Sequence, residues 1–180
     1  MSIADAQRLH ELAEVQRLVT SSLDLSDVLA HIARSATRLV GAPFAVVWTV
    51  DADAKVIHSR ARSAVSEAPS EALFPSTLRF GEGIGGRVAE TRRRIFVPDV
   101  TRDPRMVAPE WAQRAGFKTL LAVPIEAGDH LLGVLSVAGR EGSLAAEADQ
   151  ELVSALAALA GVALQNARLY RAIAWEIAPG

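Results

Sequence analysis

Apolar residues recur along this chain with two periods, and the switches between them divide it into elements. Near the N-terminus Leu9, Leu12, Val15 or Gln16, and Val19 fall three and four residues apart, with charged residues on the opposite side. That spacing predicts a helix with one narrow apolar stripe, the width of a helix–helix seam. Val28, Leu29, Ile32, Ala36, Leu39 and Val40 predict a second helix. Its cap lies either in Leu25-Ser26 or in residues 22–24, and Gly41 with Pro43 ends it. From Phe44 the period changes. Residues 44–50 are β-branched and aromatic, and residues 55–62 alternate in polarity after an Asp-Ala-Asp turn, so two antiparallel strands are expected. Residues 63–75 are small and polar, carry two prolines, and predict a loop.

The second half continues with short strands at residues 77–80 and 94–97, separated by a Gly-rich turn that opens a short helix. Asp-Pro and Ala-Pro pairs place a loop at residues 99–109, followed by one or two helical turns ending at Gly116. Two strongly apolar strands, residues 119–125 and 130–138, flank a Glu-Ala-Gly-Asp hairpin signal. An Ala-rich helix then runs from Leu144 to about Ile177. Hairpins in place of strand–helix–strand alternation predict an α+β fold with an antiparallel sheet.

Composition narrows the function. The 180 residues are 50% hydrophobic and 22% charged, a globular composition sufficient for one core. A net charge of −2 gives no electrostatic case for nucleic acid or an anionic membrane, and Arg92-Arg93-Arg94 is a local cluster at a helix end. No cysteine is present, which removes disulfides, thiolate metal sites and cysteine nucleophiles. Charges at Asp5, Arg8, Glu11, Glu14 and Arg17 interrupt any signal-peptide core, and no run of about 20 apolar residues is expected to span a bilayer. A cytoplasmic location without direct membrane insertion is the expectation.

Gly81, Gly83 and Gly86 match the GxGxxG pattern, and Asp99 follows at the distance of a ribose-binding acid. A dinucleotide site also needs a buried parallel first strand and a full crossover helix. The strand at 77–80 is short and alternating, and only about two helical turns fit before Ile95, so that fold is not expected. Glycines leading into a helix still expose backbone N–H groups at a positive dipole end, which suits an anion. A plain turn that lets backbone approach the sheet explains them as well.

Taken together, Phe80 to Thr91, then Ile95 to Asp99, then Asp103-Pro104-Arg105, resemble the central signature of GAF domains. Leu121 to Ile125 and Leu132 to Val137 resemble their closing hairpin, and Leu159 to Tyr170 their final helix as found in bacterial sensor histidine kinases. The resemblance implies a GAF/PAS-like architecture: a central antiparallel sheet of about six strands, the N- and C-terminal helices on one face, and short helices and loops covering a pocket on the other. Residues 1–22 then form a signalling and dimerisation helix, residues 23–170 the GAF domain, and residues 171–180 the end of an output helix. The best-known chemistries of the family do not carry over. Bilin attachment and methionine sulfoxide reduction in this family use cysteines. The cyclic-nucleotide signature of phosphodiesterases is missing after Asp99, and no His lies in residues 109–117, where haem-binding members place one. No cofactor is therefore expected, neither haem nor a nucleotide. No metal site is expected at Glu82, Asp99 and Asp103, and no catalytic residue is identified.

The expectation is a non-catalytic regulatory domain that binds a small molecule of unknown identity. Candidate ligand-binding residues are Trp48, Phe80, Ile84, Gly85, Val97, Asp99, Trp111, Phe117 and Leu121. A homodimer is expected through Leu9, Leu12, Val19, Leu169 and Ile173, with an output domain such as a histidine kinase or diguanylate cyclase as partner. The alternative is a dimerisation and relay module whose pocket is filled by its own side chains.

Overall fold

A computed structural model describes residues 2–21, 24–65 and 74–177, with side chains of the last helix described as far as Ile173. The elements are α1 (Ile3–Ser21), α2 (Leu25–Leu39), β1 (Phe44–Asp51), β2 (Val56–Ala64), β3 (Thr77–Arg79), α3 (Gly83–Thr91), β4 (Ile95–Val97), α4 (Pro109–Ala115), β5 (Thr119–Ala127), β6 (His130–Gly139) and α5 (Glu147–Ile177). The six strands form one sheet in the order β3-β2-β1-β6-β5-β4. Every neighbouring pair is antiparallel. The α+β class and the antiparallel sheet are thus as the sequence predicts. β3 and β4, on either side of the Gly-rich turn, lie at opposite edges. The connection through α3 therefore crosses the sheet and builds no parallel βαβ unit, which removes the dinucleotide fold on topology.

Strand alternation sorts side chains into two cores. Ala45 and Val47 of β1, Leu121, Val123 and Ile125 of β5, and Leu135 and Val137 of β6 face α1, α2 and α5. Phe44, Val46 and Trp48 of β1, Ala122 of β5, and Val134 and Ala138 of β6 face α3, α4 and the loops. Between Val47 and Trp48 the β1–β2 register shifts, leaving Arg60 without a partner on β1. This bulge reverses the parity of β2: Ile57 belongs to the α3 side and Ala61 to the helix side although four residues separate them. The alternation seen in residues 55–62 therefore does not hold through the strand.

Asp24 caps α2, accepting hydrogen bonds from the N–H groups of Ser26 at 2.9 Å and Asp27 at 3.4 Å. α5 starts at Glu147, three residues later than its periodicity suggests. Leu144 sits in the left-handed region at φ 64°, its side chain buried and its carbonyl accepting from Gln150 Nε2 at 3.0 Å, so the chain turns before the helix begins. β2 extends to Ala64, into the loop expected at residues 63–75; residues 66–73 of that loop lie outside the described residues.

One sequence expectation is corrected here. Residues 147–173 are long and apolar enough to cross a bilayer by length and composition. The polar residues that interrupt this stretch are too few to offset its alanine, valine and leucine. Its inner face packs on the sheet through Val153, Leu156, Ala157 and Ala160, while its C-terminal turns from Arg168 to Ile173 are exposed. The docking is close: a Cβ on Gly161 would lie 2.4 Å from the Glu126 carbonyl oxygen.

Candidate functional site

On the face opposite the terminal helices, the sheet presents small residues at its centre. Ala122 pairs with Ser136, and Phe44 and Leu120 both pair with Ala138. These short side chains leave a depression, and larger side chains close over it. Trp48 and Phe44 rise from β1, Ile84 and Gly85 come from the start of α3, and Trp111 comes from α4. The result is a cavity of about 50 Å³. Its lining is almost wholly apolar, and none of the described residues around it is charged. The mouth is formed by two loop dipeptides, Phe74-Pro75 and Met106-Val107, which are half-buried except for the exposed Val107.

The aromatic groups brace one another. Trp111 packs edge-on to Phe44 at 4.9 Å and to Phe117 at 5.0 Å between ring centroids, and lies 4.8 Å from Phe74. Phe74 in turn lies 5.6 Å from Trp48, with the Arg62 guanidinium 4.7 Å above its outer side. Such ring pairs contribute about 0.5–1.5 kcal/mol each beyond area burial. α4, which carries Trp111, is only seven residues long and is fixed at its end from the sheet. Arg140 Nη1 donates to the carbonyls of Ala115 at 2.7 Å and Gly116 at 3.0 Å, and its guanidinium lies 5.8 Å from the Phe117 ring centroid.

Two glycines let α3 approach. Gly86 lies so near β3 that a Cβ would fall 2.1 Å from the Arg79 carbonyl oxygen. Gly85 faces the cavity, where a Cβ would meet Ile57 Cδ1 at 3.2 Å and Trp48 Nε1 at 3.9 Å. The indole of Trp48 is 3% exposed, and its Nε1–H finds no hydrogen-bond acceptor among the described residues. An unmet buried donor costs about 1–3 kcal/mol. An acceptor oxygen from an ordered water or a ligand would satisfy it.

The loop that supplies Met106 and Val107 is held by its own charges. Arg105 grips Asp103 with Nε at 2.9 Å and Nη2 at 2.6 Å, and its backbone N–H donates to the same carboxylate at 2.9 Å. The Arg105 side chain, more than its charge alone, holds the Asp103 carboxyl below the ordinary carboxylate range. Asp99 acts earlier in the same loop. It accepts from the Thr101 hydroxyl and the Thr101 N–H, which with Lys118 and Arg102 lower its pKa.

Of the nine residues singled out from sequence, Trp48, Ile84, Gly85 and Trp111 line the cavity. Phe117 stands behind Trp111, while Val97 and Phe80 belong to the same apolar cluster away from the opening. Asp99 braces a loop outside the cavity. Leu121 is a correction: it is fully buried against the terminal helices on the other face, and its neighbour Leu120 takes the cavity position. Adjacent strand residues point to opposite faces, so an error of one residue exchanges the two cores. Sequence reasoning missed Phe44, Val46, Phe74, Leu78, Met106 and Ser136. Phe44 and Val46 follow from Trp48 by the period of two; no sequence signal singles out Phe74 or Met106 within their loops.

The expected dimer residues also separate. Leu9, Leu169 and Ile173 are more than half exposed, and Leu12 is partly buried. Val19 is corrected: at 5% exposure it packs inside this chain's own core, because with Val15 it forms the side of α1 that lies against α2 and α5. A wider groove of about 640 Å³ lies on the helix side between Val19, Asp24, Arg60, Asn166, Tyr170 and Arg171. That groove carries charged residues in its wall, Asp24, Arg60 and Arg171, whereas the smaller cavity is lined by aromatic and aliphatic side chains.

Comparison with known proteins agrees with this architecture. The chain is 28% identical over 166 residues to the Nif-specific regulatory protein of Herbaspirillum seropedicae, covering 91% of this chain and 30% of that protein. It is 26% identical over 150 residues to a methyl sulfide methyltransferase-associated sensor of Methanosarcina acetivorans, covering 82% of this chain and 15% of that one. The chain thus spans less than a third of the length of these relatives. Among solved structures, the GAF domain of a Coxiella burnetii phosphoenolpyruvate-protein phosphotransferase superposes with a TM-score of 0.78 at 22% identity, covering 95% of this chain and 99% of that one. The free methionine-R-sulfoxide reductase of Neisseria meningitidis superposes with a TM-score of 0.76 at 18% identity, covering 94% and 95%. At these identities the structural likeness shows the fold alone. The sequence profile of the GAF domain matches residues 22–165, most of the chain, and the protein belongs to the GAF domain family.

Proposed function

We propose that this chain is the non-catalytic sensing part of a regulator: a small molecule enters the cavity beneath α3 and α4, and α1 and α5 carry the response to an output partner. The observation that carries this reading is the position of the cavity, one strand-thickness away from the helix layer. Trp48 touches the cavity and Val47 the helices; Leu120 touches the cavity and Leu121 the helices. A shift of the aromatic cluster on one side therefore moves residues that seat α2 and α5 on the other, because packed cores transmit displacement. The named relatives support the output side of the reading. They are a regulatory protein and a sensor, each far longer than this chain. A histidine kinase or diguanylate cyclase would fit as the attached or partnered output, and exposed Leu9, Leu169 and Ile173 would meet their counterparts in a second copy.

The test is a thermal-shift screen of neutral and charged metabolites, with native mass spectrometry of freshly purified protein. At a free concentration of 100 times Kd, a ligand specific to the folded state stabilises by about 2.7 kcal/mol. Hits are expected to lose their effect when Gly85→Val adds a side chain to the cavity wall beside Trp48. A protein that carries no adduct and responds to no compound would favour a relay module with a self-filled core.

A further inference from the structure

The character of the cavity wall restricts what it can accept. Polar atoms are nearly missing from it, and no described lining residue offers a charge. An ion placed there would lose its hydration with nothing to replace it, which excludes carboxylates, phosphates and ammonium groups on electrostatic grounds. A purely apolar occupant would in turn leave the Trp48 Nε1–H unmet, buried as it is beside Gly85. The ligand that satisfies both conditions has an apolar body and one hydrogen-bond acceptor. The space of about 50 Å³ admits only a few heavy atoms with the mouth as observed. A ring-sized body fits only if the cavity widens on binding.

Resting on the proposal that this cavity is the ligand site, we infer that it selects small uncharged carbonyl, ether or alcohol compounds, bound through an acceptor oxygen on Trp48 Nε1–H. Trp111 and Phe44 supply the apolar walls against which the body packs. Ser136, a hydroxyl within the apolar run Leu131–Ala138 of β6, borders the same space.

The experiment follows the indole N–H resonances of ¹⁵N-labelled protein, assigned with Trp48→Phe and Trp111→Phe. The probes are 2-butanone and benzaldehyde, with butyrate, benzoate and benzylamine as charged counterparts of similar size. The neutral probes are expected to move the Trp48 indole resonance saturably, and the charged ones to leave it in place at the same concentrations. Trp48→Phe is expected to weaken benzaldehyde roughly tenfold, the loss of one hydrogen bond, while toluene binds about equally to both proteins. Equal or stronger shifts with the charged probes would overturn the ligand class and leave the cavity as a binding site. Benzaldehyde affinity unchanged in Trp48→Phe would overturn the role of the indole. Silence of both indoles toward every probe would overturn the inference together with the cavity reading on which it rests.

Discussion

Replacing Gly86 with alanine separates two physical effects of opposite sign. Inside an exposed helix, Gly→Ala stabilises by about 1 kcal/mol, because alanine loses less backbone freedom on folding. Gly86 lies inside α3, yet its Cβ position is 2.1 Å from the Arg79 carbonyl oxygen, 3.3 Å from the Arg79 carbonyl carbon and 3.5 Å from the Gly81 nitrogen. Carbon–oxygen contacts settle no closer than about 3.3 Å, so more than an ångström of separation must come from moving α3 off β3. All three atoms are backbone, and no rotamer change relieves the clash. The neighbouring turn is tied by Gly81 N–H to the Gly86 carbonyl at 2.9 Å and by Glu82 N–H to the Arg79 carbonyl at 3.0 Å. Displacing α3 therefore strains these bonds too. Overpacking of this kind costs about 1–3 kcal/mol, and a weakened hydrogen bond about another 0.5–1.5. After the helix-propensity gain, a net loss of about 2 kcal/mol is expected. For a domain of this size that lowers Tm by about 4–8 °C. Circular dichroism melting with a parallel urea titration measures it. A Gly86→Ala protein with unchanged or raised Tm would refute the close-approach argument, and with it the account of how α3 roofs the cavity.

Three further outcomes follow from the same geometry. Leu121→Ala should cost about 2–5 kcal/mol, as a fully buried leucine in the helix-side core, whereas Leu120→Ala, half-buried at the cavity, should cost less; equal losses in urea unfolding would contradict the assignment of faces. Gly161→Ala should destabilise by about 1–3 kcal/mol, because its Cβ would meet the Glu126 backbone at 2.4 Å, and hydrogen exchange should show the loss concentrated in α5 and the β5–β6 hairpin. His31 is shielded mainly by burial, with Arg34 next, and its pKa is lowered although Glu11 opposes the shift. Its folded state resists the proton, so stability should be complete above the unfolded value of about 6.5 and fall as pH drops below it; Tm measured from pH 7.5 to 5 should decline less steeply in His31→Gln.

The elements were legible in the sequence where local signals agreed. Asp24, Gly41 and Pro43 bracket α2, and the β5–β6 hairpin declares itself through two apolar runs around Gly128. The family signature around Gly81 to Thr91 was legible too, since the glycines have geometric work: Gly81 and Gly83 take positive φ, and Gly86 has no room for a side chain. Facing was not legible. Leu120 and Leu121 are chemically identical, and only the sheet's register places one at the cavity and the other under α5. The bulge opposite Val47 and Trp48 defeats parity in β2 by the same logic. Phe74 was hidden for another reason: its place is set by aromatic partners from β1 and α4, far away in the chain. Val19 shows the complementary difficulty, because an apolar stripe reads alike whether its partner is another copy or the chain's own core.

The central claim, that occupancy of the cavity is felt in the helices, is tested most directly by hydrogen exchange with and without saturating benzaldehyde. The account predicts slowed exchange in α3, in α4 and in β1, together with altered exchange in the C-terminal half of α5 on the far side of the sheet. Protection confined to the cavity walls, with α1 and α5 unchanged, would contradict it.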